Sequence, residues 1–226
     1  MREIEPSKVI APELGAEVIS AEKSVRVAKI ISELEGVKLN KNQKNAAAII
    51  GGAERTFDSA FDQKNTQTAK LRGREILRVI TERETKSPHL DSYLNRALVL
   101  AQENLTTESL AVLVDLTKAQ IDSIQQREKG ISLNTIRDIT KRKGGKAALM
   151  LALEVSPHMD IKKQNCYEEL GFLIQLIDDF EDREIDTKDG IATLANRLVQ
   201  PQVLSEIMKQ THKVKKCLKP STKLIN

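Results

Sequence analysis

Leu170-Gly-Phe-Leu-Ile-Gln-Leu-Ile-Asp-Asp-Phe-Glu-Asp182 has the spacing of a helix. Its apolar residues at 170, 173, 174 and 177 recur at three- and four-residue intervals. Gly171, Gln175, Asp178 and Asp182 form a second stripe on that helix, stepping by four, three and four. A small residue, an amide and two carboxylates thus share one strip. Carboxylates that close repel one another and resist burial unless a cation sits between them. Magnesium suits the place, because it takes oxygen ligands from a few carboxylates together with substrate phosphates. A solvated acidic helix end is the plainer alternative in a chain of which 30% is charged.

Working outward, a second acidic helix is expected from about Lys44 to Lys64, with Ile49, Ile50, Ala53, Phe57, Ala60 and Phe61 as its apolar positions. Asp58 and Asp62 stand one turn apart on one face, and Glu54 extends that stripe backwards. A pair of Asp at this spacing can hold one cation jointly. Gly51-Gly52 and the surrounding alanines point to close helix packing beside the pair.

The remaining chain repeats this helical grammar. Helices are expected over about Ala16–Leu34, ended by Gly36, and over Ala69–Glu84, Leu90–Asn104 and a segment capped by Thr106 or Thr107. Another is expected from Asn134 to about Arg142, closed by Lys143-Gly144-Gly145. A further apolar stretch follows from Ala147 to Val155. Arg183 to Gly190 reads as a charged loop. Ile191–Leu198 reads as helical up to the break at Pro201, and a last helix runs from Val203 to about Leu218. No strand alternation and no internal repeat are present. The expected fold is all-α: one domain over 1–226, a bundle of roughly ten helices around a central cavity.

Composition agrees with this. At 226 residues the chain can bury a sizeable core. It is 40% hydrophobic but only 3% aromatic, without Trp, so the core must be mostly aliphatic. No apolar run reaches the length of a membrane span, and the N-terminus lacks the layout of a signal peptide. Cys166 and Cys217, far apart and without metal-type spacing, read as free thiols of a reducing, cytoplasmic protein. The net charge is +4, and the segment 209–226 carries six lysines and no acids. That basic tail is either a solvated terminus or a contact with anionic membrane headgroups.

Gly171-x-x-x-Gln175-x-x-Asp178-Asp179-x-x-Asp182 resembles the second aspartate-rich motif of the trans-isoprenyl diphosphate synthases, within the class I terpenoid synthase superfamily. Lys143-Gly-Gly resembles their Lys-Thr-Gly motif, and Gln120-Ile-Asp122 their Gly-Gln-x-x-Asp helix, in the same order. The likeness covers about Leu110 to Gly190. It implies two aspartate-rich helices facing each other across a bundle and holding Mg²⁺, with Asp58 and Asp62 on one and Asp178, Asp179 and Asp182 on the other. It further implies that Lys143, Gln175 and Asp178 carry the chemistry, and that Gln120, Lys143, Gln175 and Lys188 bind the substrate, an allylic isoprenoid diphosphate. Isopentenyl diphosphate as acceptor and a homodimer or partner subunit are implied with it, and nucleic acid is not.

The first motif here, Asp58-Ser-Ala-Phe-Asp62, lacks the adjacent second Asp. No Gly-Lys-Arg-x-Arg-Pro segment precedes it, and the nearest following basic residues are Lys64, Arg72 and Arg74. Prenyl transfer therefore stands beside a cyclase-like reaction without isopentenyl diphosphate, and beside a catalytically silent helical subunit. A third class comes from Thr117 to Arg137, which has the outline of a helix-turn-helix with Gly130 at its turn. Arg137, Lys141, Arg142 and Lys143 are its candidate phosphate contacts. It leaves both aspartate pairs without a role.

Overall fold

The structure, a computed structural model, describes residues 5–15, 18–61 and 65–218. Among these are eleven α-helices, one 3-10 turn and no strand, the all-helical bundle expected. In order they are α1 (Pro6–Glu13), α2 (Val18–Glu35), α3 (Lys41–Phe61), α4 (Thr66–Glu82), α5 (Ser92–Asn104) and α6 (Thr107–Ser123). The 3-10 turn Ile124–Arg127 leads on to α7 (Leu133–Val155), α8 (Ile161–Glu181), α9 (Arg183–Asp189), α10 (Leu194–Arg197) and α11 (Gln200–Cys217). No described helix is long and apolar enough to cross a membrane.

Side-chain caps start the helices where the sequence supplies them. Asn65, Asp91, Thr106, Ser132 and Asp160 each accept a backbone N–H of the first turn of α4, α5, α6, α7 and α8. Each such cap contributes about 1 kcal/mol over alanine. The apolar positions expected on α3 are all buried, and with Leu94, Leu98, Leu113, Leu149 and Tyr167 they belong to one continuous core.

α7 is the central helix, packed against α8, α6, α2 and α3. Its course corrects the expected stop at Lys143-Gly144-Gly145, because the helix runs unbroken through both glycines. They are there for approach rather than termination. A Cβ on Gly171 of α8 would fall on the carbonyl oxygen of Gly144, and one on Gly144 would strike the Gly171 carbonyl and the Gln175 Cβ. The two backbones touch, which repays the propensity cost of about 1 kcal/mol for each helical glycine.

The expected tight packing at Gly51-Gly52 is present: added Cβ atoms would lie 2.6 Å from Ser20 O and 2.7 Å from Leu14 Cδ1. Three further expectations change. The charged segment after Asp182 is the short helix α9, closed by Gly190 at a φ of 69°. Ile191–Leu198 contributes only the single turn of α10, and α11 begins before the supposed break, with Pro201 in its first turn, where its missing N–H costs nothing. Cys166 and Cys217 are not free: they form a disulfide tying the start of α8 to the end of α11. That pairing removes the free-thiol basis for a reducing compartment.

α8 buries only part of the face its spacing predicts, with Leu173 buried and Leu170 packed against the core. Phe172, Leu173, Leu176 and Asp179 are buried, whereas Ile174 and Ile177 are 43% and 40% exposed. The helix has two apolar sides, and only one of them packs into the core.

Candidate functional site

The helix directions bring the acidic segments together. α2 and α3 form an antiparallel hairpin, close-packed where Gly51 meets Ser20 and Ser24, and Thr56 Oγ1 ties the end of α1 to α3 by donating to Leu14 O at 2.7 Å. α7 runs against α3, with Gln43 Nε2 donating to the carbonyls of Glu154 and Val155 at 3.1 and 3.0 Å. α8 runs against α7 through the Gly144–Gly171 contact. α3 and α8 therefore point the same way, and their C-terminal ends flank one end of α7. Both helix dipoles turn their negative ends toward that place, which favours cations.

A cleft of about 710 Å³ opens there. Asp58 of α3, Lys143 of α7 and Gln175, Asp178, Asp179 and Asp182 of α8 all line it, and α9 adds Lys188. Gln120 of α6 reaches the same place from below, donating from Nε2 to Asp58 Oδ1 at 2.6 Å. The Lys143 ammonium lies 3.6 Å from the same oxygen. Gln175 Nε2 donates to Asp179 Oδ1 at 2.9 Å. The opposite oxygen of Asp179 and the amide oxygen of Gln120 are buried without a hydrogen-bond partner. Buried acceptors of that kind are costly unless something donates to them or coordinates them.

The acids of the cleft resist ionisation. Desolvation by the surrounding protein, with the charge of Asp58 next, pushes Glu54 of the adjoining groove up to about 7, although part of the residue stays exposed. Burial likewise raises Asp179 to about 6, against the opposing hydrogen bond from Gln175. Asp178 is raised by burial and then by the charge of Asp182. Lys143 lowers all three in part. A second cation would relieve this crowding of negative charge.

Eight of the nine candidate residues thus meet at one end of the bundle, and Asp62 lies outside the described residues. Among the described residues no three His, Cys, Asp or Glu side chains close on a point as a preformed metal cage. The donor set fits magnesium nonetheless. That ion takes one or two carboxylates and completes its shell with water and phosphate oxygens rather than an all-protein cage. Asp178 and Asp182 on one wall and Asp58 on the other offer carboxylates of this kind.

Apart from its i−3 spacing to Asp58, the sequence carries no separate sign of Arg55. That residue lines the cleft one turn before Asp58, whereas Lys64, Arg72 and Arg74 follow that motif. Arg127 and Thr140 also line the cleft. Asp122 does not, since Arg142 takes it at 2.8 Å.

The segment Thr117–Arg137 does form a helix, a turn with Gly130 at a φ of 88° and a second helix. Its second helix is α7, whose residues from Gly144 onward are largely core. Of its four candidate phosphate contacts, Arg137 pairs with Glu206, Lys141 with Glu169 at 2.9 Å, Arg142 with Asp138 at 2.7 Å, and Lys143 faces Asp58.

The hollow expected at the bundle centre is nearly filled. Between Ile50, Phe57, Leu113, Leu116 and Met150 only about 20 Å³ remains, room for about one water. No family model, curated protein or solved structure matches the chain.

Proposed function

We propose that the chain is a magnesium-dependent enzyme that ionises an allylic isoprenoid diphosphate, with prenyl transfer as its main reaction. The observation that carries this reading is the meeting of Asp58, Lys143, Gln175, Asp178 and Asp182 from three helices around one cleft. Bound magnesium would supply Lewis-acid neutralisation of the diphosphate. Asp58, Asp178 and Asp182 would hold it. Lys143 and Arg55 would meet the phosphate oxygens directly and stabilise the charge that grows as the carbon–oxygen bond breaks. The bonding electrons leave with the diphosphate oxygen. The allylic cation then takes electrons from an acceptor double bond, which afterwards loses a proton.

A silent subunit is the second reading, favoured by the filled interior and by the engagement of Asp58 with both Gln120 and Lys143. The deciding experiment measures diphosphate release from geranyl, farnesyl and geranylgeranyl diphosphates with magnesium, with and without isopentenyl diphosphate. Products are identified by mass spectrometry. Release that requires isopentenyl diphosphate and lengthens the chain supports prenyl transfer. Release without it, giving a hydrocarbon or alcohol, replaces that reaction by a cyclase-like one. Absence of release from a folded chain favours the silent subunit.

A further inference from the structure

Beside the polar cleft lies a second hollow, a groove of about 560 Å³. α2 and α8 both pack on α7 but hardly on each other, so they form two walls with α7 as floor. The floor is Gly144, Ala147, Ala148 and Leu151, and Gly51 and Gly171 thin the sides. Val27 of α2 and Ile174 of α8 add apolar surface to the walls, which Ser20, Lys23, Ser24 and Arg26 of α2 and Glu54 of α3 also line. Ile174, at 43% exposure, is one of the large apolar side chains that the core does not take.

The two ends of the groove differ. Beyond the residues that line it on one side, Glu35 of α2 accepts from Tyr167 Oη at 2.5 Å and from Lys163 Nζ at 2.6 Å, which bolts α2 to α8. At the other end Arg55, Asp58, Gln175, Asp178 and Asp182 line the groove and the polar cleft alike, so the two hollows are continuous. From Gly171 to Asp178 the wall of α8 spans about 10 Å at the helical rise.

We infer that this groove between α2, α7 and α8 holds the hydrocarbon tail of the isoprenoid diphosphate, with its head in the polar cleft. The inference rests on the proposed function and assigns the tail to a place outside the bundle interior. The interior void of about 20 Å³ has no room for it, whereas the groove starts at the carboxylates and continues over an apolar floor of Gly144, Ala147, Ala148 and Leu151. The buried, unpartnered oxygen of Asp179, a residue of the cleft lining, marks the head end as built for a ligand. An apolar tail covering Ile174 and Val27 would remove their surface from water, which gives about 25 cal/mol per Å².

The test is photolabelling of the full-length protein with farnesyl diphosphate carrying a benzophenone at the tail terminus, in the presence of magnesium, with mapping of the labelled peptides. Label on α2 and α8 around Val27 and Ile174, competed by unlabelled farnesyl diphosphate, is the expected result. Competed label on α5 and α6 around Ala101 and Leu113 would overturn the groove and leave the proposed function standing. Absence of competed label anywhere would overturn both. As a second arm, the Val27→Gln, Ile174→Gln pair should weaken binding of the farnesyl probe by about tenfold, since it sets amides against the tail. It should leave the binding of inorganic diphosphate unchanged. Equal farnesyl affinity in the variant and the parent would contradict the groove.

Discussion

Glu54 and Asp179 are the residues whose protonation should be felt first. Their carboxyls are raised to about 7 and about 6 from ordinary values of 4.5 and 3.8, first by desolvation; Asp179 is buried, whereas Glu54 keeps an exposed surface that weakens its share. Above pH 4 the unfolded chain loses these protons before the folded chain does. The folded state then binds more protons, and stability falls as pH rises. The fall should span the window from about pH 4 to 7 and level off above it. Urea midpoints measured across that window should decline, and Glu54→Gln should flatten the decline. A slope that Glu54→Gln leaves unchanged would contradict the assignment. Glu169 acts in the opposite sense and elsewhere on the scale. Burial raises it, but hydrogen bonds from Lys213, Lys141 and Gln210 outweigh burial and bring it down to about 2. The stability it contributes is present above its ordinary 4.5 and is lost only as pH falls toward 2. At this scale the sequence made Asp58, Asp178 and Asp182 legible by their one-turn spacing. It did not show Asp179 as buried or Gln120 as the partner of Asp58, because that contact joins residues 62 positions apart.

Among the elements, α7 and α8 depend on each other. The glycine contact sets their register, and with it the placing of Lys143 beside Gln175 and Asp178. Gly171→Ala would force a methyl onto the Gly144 carbonyl. Overpacking against backbone should cost roughly 1–3 kcal/mol or more, measured by chemical denaturation; a loss within error would refute the close contact. The disulfide makes a separate prediction. It closes a separation of 51 residues, so Cys217→Ser should cost up to about 4 kcal/mol. A denaturation midpoint unmoved by Cys217→Ser and by reductant alike would show that the bond does not form.

Helix existence was legible from periodicity, and so was the packing at Gly51-Gly52. Two local signals misled. A basic cluster before Gly-Gly has the pattern of a helix C-terminus, and only Gly171, 27 positions further on, explains why α7 continues. The apolar residues of α8 at 174 and 177 read as core because spacing shows that a face is apolar, not which neighbour covers it.

At the scale of the whole molecule, antiparallel packing of α7 against both α3 and α8 carries two acidic helix ends to the same end of the bundle. That convergence makes a site from motifs that are weak one by one, and their order along the chain was its one trace in the sequence. The central claim is that this end of the bundle binds diphosphate through magnesium. Isothermal titration of the full-length protein with inorganic diphosphate tests it most directly, with and without magnesium, and on Asp178→Ala checked for folding by circular dichroism. Saturable binding that requires magnesium and weakens about 100-fold or more in Asp178→Ala is the predicted result. Binding that is indifferent to magnesium or to Asp178, or no binding by the folded parent, would contradict it.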